Sequence, residues 1–211
     1  TNKIPENEFD KWLTVEGEHY SKLVLRLFHT ELEAVFKEFN RGKNNDFRKS
    51  YAAMLSALFP NHPYGQQTTI STGDHLKNPS MIDIHNYFDK YYVPNNMAIV
   101  LVGDIDFDST IEKVNNTFGE LKNKEVIHPN LPKETPINKP IIREVYGPTS
   151  EMVSIAYRSN GAGSDDEKFV ALSDMILANG IAGLIDLNLN QKQLIQSGGC
   201  SPTILKEYGY H

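Results

Sequence analysis

Apolar positions recur at helical spacing through the first half of the chain. At about 100° per residue, Val24, Leu27, Phe28, Leu32, Val35, Phe36 and Phe39 share one broad face, which predicts a helix over residues 18–39. Lys22, Arg26, Glu33 and Lys37 fall opposite. A second helix is predicted from Asp46, as N-cap, along a stripe of Phe47, Tyr51, Met54, Leu55 and Leu58 to a stop at Pro60. Residues 61–65, Asn-His-Pro-Tyr-Gly, are too punctuated for either period and read as a loop. A third helix is marked by Asn78 as cap, Pro79 in its first turn, inward-facing Ile84, Tyr87, Phe88 and Tyr91, and a stop at Pro94.

The continuous apolar run 97–102, Met-Ala-Ile-Val-Leu-Val, predicts a central strand buried on both faces. Gly103-Asp104 breaks it, and a short helix carrying Ile111, Val114 and Phe118 ends at Gly119. Between 122 and 140 no apolar period survives. Pro129, Pro132, Pro136 and Pro140 make this stretch a semi-rigid linker between two domains, 1–121 and 141–211. Beyond it, strands are predicted at 141–146 and 152–158, helices at 165–178 and 181–195, and a strand after Gly198-Gly199.

Composition narrows the class. Among 211 residues, 39% are hydrophobic and 23% charged, as in soluble globular chains. The net charge of −6 argues against nucleic acid as a partner, because that contact needs a basic face. No apolar run approaches the roughly 20 residues of a membrane span. A single cysteine, Cys200, excludes an internal disulfide and any cysteine-based zinc cluster. Residues 1–6 lack a signal peptide's apolar core. With no initiator Met, the chain reads as a processed or excised piece.

The chemistry concentrates on two carboxylates. On the 18–39 wheel Glu31 and Glu38 fall inside the apolar face, two turns apart, whereas Glu33 does not. A carboxylate on a buried face is costly unless paired or metal-bound. Either each pairs with an Arg or Lys of a neighbouring element, or the two belong to a functional site. The rest is weaker. His62 reads as a loop histidine bonding to backbone, and His19, His29 and His85 have no second ligand at metal-binding spacing. Asp104 and Asp106 follow a common strand-ending turn, and the glycines at 161–163 and 198–199 lack the context of a phosphate loop. Ser150 and Ser154 have no nearby His, and Tyr87, Tyr91 and Tyr92 read as core.

The segments Glu31-Leu-Glu-Ala-Val-Phe-Lys-Glu38, His62-Pro-Tyr-Gly65 and Tyr92-Val-Pro-Asn-Asn-Met-Ala-Ile-Val-Leu-Val-Gly-Asp-Ile-Asp106 resemble, in order, the insulinase/pitrilysin family of zinc metallopeptidases. The family includes the mitochondrial processing peptidases, and the resemblance runs from about Asp10 onward. It implies an α+β fold, a two-layer arrangement of a mixed, largely antiparallel sheet with helices on one face, repeated in consecutive domains. Residues 1–121 would then be the later part of a first, catalytic domain and 141–211 the start of a second. The resemblance also implies zinc held by an inverted His-x-x-Glu-His motif and a later glutamate, with the motif's own glutamate activating water. The later glutamate matches Glu38, as metal ligand, and a supporting acidic residue matches Glu31.

No His-x-x-Glu-His occurs in these residues; Glu16-Gly-Glu-His19 comes closest, with Val15 where the first histidine should stand. The motif is expected upstream of Thr1, so the chain is read as an internal fragment of a zinc-dependent metalloendopeptidase acting on peptides or small unfolded proteins. Alone it is expected to be inactive and to hold little or no zinc. A non-catalytic scaffold or substrate-binding subunit of the same family is the alternative. The expected partners are peptide substrates and the missing parts of the same protein. Self-association is expected through the face of Val24, Phe28 and Val35 or through an open sheet edge. The family's compartments include the bacterial periplasm, mitochondria and cytosol, of which a bacterial envelope is favoured.

Overall fold

A computed structural model describes residues 1–67 and 69–211. Its elements run α1 (Phe9–Ser21), α2 (Phe28–Lys43), α3 (Asp46–Leu58), α4 (Pro63–Gln66), α5 (Gly73–Lys77), α6 (Met81–Tyr91), α7 (Phe107–Phe118), β1 (Arg158–Asn160), α8 (Asp165–Leu177), β2 (Thr203–Ile204) and β3 (Tyr208–Tyr210). The class is α+β, helix-rich with a small antiparallel sheet. Two compact units divide the chain. One joins Thr1–Gly42 to Thr69–Leu131, the other Lys43–Thr68 to Pro132–His211. The helix α3 therefore belongs with residues beyond Leu131 and not with α1 and α2.

In the first unit α1 and α7 form the central contact. Leu13 of α1 is buried, and Lys113 of α7 reaches Asp10 at 2.7 Å. A Cβ on Gly17 would lie 2.5 Å from Thr117 Cγ2, so this close approach requires glycine. Tyr20 sets its ring 6.3 Å from both Tyr92 and Phe118. Asp106 caps α7 by accepting the Ser109 N–H at 2.9 Å, and that bond holds its carboxyl below the usual range.

The predicted helix over 18–39 is two helices. Residues 22–27 leave the helical path, with Leu27 at φ 57°. There Leu23 and Leu25 are half-buried while Val24 and Arg26 are exposed, an alternation of period two that competes with the helical reading of the same letters. The helix α6 starts later than expected. Ser80, not Asn78, caps it by accepting the Asp83 N–H at 3.2 Å, and Tyr87 faces solvent. Residues 97–102 form no strand, because nothing among the described residues pairs with them; Val102 is 94% exposed. An apolar run becomes a central strand only where neighbours take up its backbone groups.

The second unit is built on α3, α8 and an antiparallel sheet of order β1-β3-β2, in which Arg158 stands opposite Tyr210 and Thr203 opposite Tyr210 from the other side. Leu58, Phe59 and Tyr210 make its core, packed by Met54, Leu55, Tyr64, Ala156 and Tyr208. Asn45, one residue before the expected Asp46, caps α3 by accepting the Arg48 N–H at 2.9 Å. Residues 61–65, read as a loop, contain the single turn α4; a Cβ on Gly65 would sit 2.2 Å from the Phe59 carbonyl oxygen. Of the strands predicted at 141–146 and 152–158, only the last residue of the second enters a ladder. The helix predicted over 181–195 is reduced to a short wide-turn segment, Asp186–Asn190, and the strand expected after Gly199 is present as β2 and β3.

Candidate functional site

Glu31 and Glu38 both lie on α2, about 10 Å apart along its axis and within about 20° of each other around it. Contrary to the expectation of burial, both are exposed, as is Glu33. With Val24 and Leu27 outside the helix, the apolar stripe recentres on Phe28, Leu32, Phe36 and Phe39, all half-buried. The two glutamates then flank that stripe by about 100°. Among the described residues neither carboxylate has an ion pair or side-chain hydrogen bond, and neither belongs to a group of three metal-ligating side chains. Among the described residues, therefore, Glu31 and Glu38 are not brought together with further metal-ligating side chains.

Two polar clusters that the periodicity did not indicate lie in the second unit. The first centres on Glu134, in the stretch read as linker. Its side chain is fully enclosed; one carboxylate oxygen accepts the N–H groups of Asn61 and His62, each at 2.7 Å, and the other lies 3.5 Å from Arg158 Nη1. Arg158 also donates to the carbonyls of Leu58 and Thr135, and the Glu134 N–H donates to Tyr208 Oη at 2.8 Å. His62 is buried. Its Nδ1 accepts the Tyr64 N–H at 3.3 Å, the backbone bond expected of it, while Nε2 has no partner among the described residues. Four of these groups satisfy backbone, so the cluster ties the 130s segment to the end of α3.

The second cluster joins Asp174 of α8, Cys200 and His211. His211 Nε2 lies 3.0 Å from Asp174 Oδ1, and the Cys200 sulfur stands within 4.8 Å of both groups. Burial, reinforced by Asp174, pushes the thiol up to about 11; the bond to His211 lowers Asp174. Two sets of hydrogen bonds brace the chain between α8 and Cys200. Asp186 Oδ2 accepts the N–H groups of Asn179, Gly180 and Gly183, and Asn190 exchanges two hydrogen bonds with Gly198. Ligand spacing could not have signalled this cluster, because its members stand far apart in the chain.

Residues 81–211 match the family model described as the Peptidase M16 inactive domain. The chain belongs to the M16 peptidase family. This is the insulinase-like class that the segments around Glu38, His62 and Tyr92 resemble. The M16 match runs from α6 through the proline-rich stretch to the last residue. The zinc protease PqqE of Helicobacter pylori is 24% identical over 203 residues, 92% of this chain and 45% of PqqE. The crystal structure of a protease from Helicobacter pylori superposes with a TM-score of 0.70 at 18% identity, over 98% of this chain and 52% of that one. The first half of the periplasmic protease PqqL from Escherichia coli gives 0.69 at 15% identity, over 100% and 47%. The chain thus spans about half the length of these M16 relatives. No helix among its described residues is long and apolar enough to cross a membrane.

Proposed function

We propose that this chain is part of an M16 zinc metalloendopeptidase of the bacterial envelope, and that α2 presents Glu38 as one ligand to zinc. The observation that carries the reading is the pair Glu31 and Glu38, exposed on one side of a helix and unpaired among the described residues. Carboxylates left in this state are free to meet groups supplied by other segments of a longer protein, and the relatives are about twice as long. Glu38 would give one oxygen to the metal. Glu31, two turns away on the same side, would orient a ligand or balance charge near it. The compartment follows the periplasmic relative PqqL.

A second reading has its own support. The family model matching residues 81–211 is described as inactive, which favours a scaffold or substrate-binding role for that part. Metal analysis of the parent protein separates the two. With Glu38→Gln, the catalytic reading expects loss of most bound zinc and of peptide hydrolysis, against little change for Glu33→Gln. Zinc and activity retained in Glu38→Gln would remove Glu38 as a ligand, and an unaltered parent that neither holds zinc nor cleaves peptides would leave the non-catalytic role standing.

A further inference from the structure

The cluster of Asp174, Cys200 and His211 has the composition of a metal site. Its three donor atoms, a carboxylate oxygen, a thiol sulfur and an imidazole nitrogen, lie within 4.8 Å of one another. Tetrahedral ligation at zinc distances sets donor atoms about 3.3–3.8 Å apart, so closing this triangle takes shifts of roughly an ångström. We propose that these three side chains bind a divalent transition-metal ion of the zinc class, with water in the fourth position.

Each ligand is held by backbone it does not control. His211 exchanges both main-chain hydrogen bonds with Tyr157, at 2.8 and 2.9 Å, which fixes the root of its imidazole. Asp174 is set by α8, and Cys200 follows the turn that Asn190 holds through Gly198. Charge also closes. On binding, the thiol releases its proton to solvent and a metal–sulfur bond forms. One thiolate and one carboxylate then offset the two positive charges, and neutral imidazole supplies the third lone pair. The sulfur donor selects zinc or cobalt over magnesium and calcium, which prefer oxygen. The lone cysteine thus acts with His and Asp and needs no second cysteine.

The test uses the untagged 211-residue chain, freed of metal by chelation and titrated with Co²⁺. One equivalent is expected to bind, producing a thiolate-to-cobalt charge-transfer band in the near ultraviolet and the intense visible bands of tetrahedral cobalt, both abolished by Zn²⁺. Asp174→Asn and His211→Gln should each weaken binding by about 100-fold or more. Cys200→Ser should remove the charge-transfer band while leaving the circular dichroism unchanged. Absence of that band in the unaltered chain, or equal cobalt affinity in Asp174→Asn and His211→Gln, would show that the three residues are only a hydrogen-bonded lock. Glu38→Gln should bind cobalt normally here, which keeps this result separate from the reading of α2.

Discussion

Glu134 joins its own segment to residues 61–62, Arg158 and Tyr208. Its carboxylate is fully enclosed, satisfies two backbone N–H groups ahead of α4 and faces Arg158, whose side chain is itself largely buried. Removing one partner of a buried pair strands the other without solvent, and the unmet N–H groups add to the loss. Glu134→Ala should therefore cost about 3–5 kcal/mol, seen as a lower urea midpoint for the second unit. An unchanged midpoint would mean that Arg158 finds another partner. Neither Glu134 nor Cys200 was legible as a site in the sequence. Each gains its role from residues brought close by folding, and their own neighbours in the chain carry no trace of it.

At the scale of elements, the caps decide where helices begin. Asn45 accepts the Arg48 N–H and closes the first turn of α3, whose far end supplies Leu58 to the core. Asn45→Ala should lower stability by about 1 kcal/mol, measured by denaturant unfolding, while leaving helix content in the folded state intact. A loss below the error of the measurement would show that packing alone sets this terminus. Caps and apolar stripes are local, which is why α3, α6, α7 and α8 could be read to within a few residues. The misread elements share one cause. Strands at 97–102 and 141–146 depend on partners that the letters do not name, and the break after Ser21 depends on which of two periods the surrounding structure accepts. Placing Glu31 and Glu38 on a buried face failed through that same break, since it moved the stripe on which the argument rested.

The molecule as a whole leaves much apolar surface uncovered, including Val100, Val102, Ile142, Val153, Ile155 and Tyr157. In the first unit a cavity of about 480 Å³ is lined by Ile99, Leu101, Phe107, Ile111, Val114 and Phe118. Surface of this kind drives association when it stays exposed. The 211-residue chain is expected to scatter light with a mass above that of one copy at high micromolar concentration and to bind an apolar-sensitive dye. A monodisperse, dye-silent monomer would overturn this. The discontinuity of the second unit has a further consequence, in time. Tyr51 of α3 meets Tyr210 of β3, a partner 159 positions later, and the core of Leu58 and Phe59 closes on that same strand. At roughly 5–20 residues per second, a ribosome leaves α3 waiting about 10–30 s for it. For that interval its apolar side lacks the strand β3 that it packs against. The newborn chain is thus most open to chaperones and proteases between the emergence of α3 and that of β3.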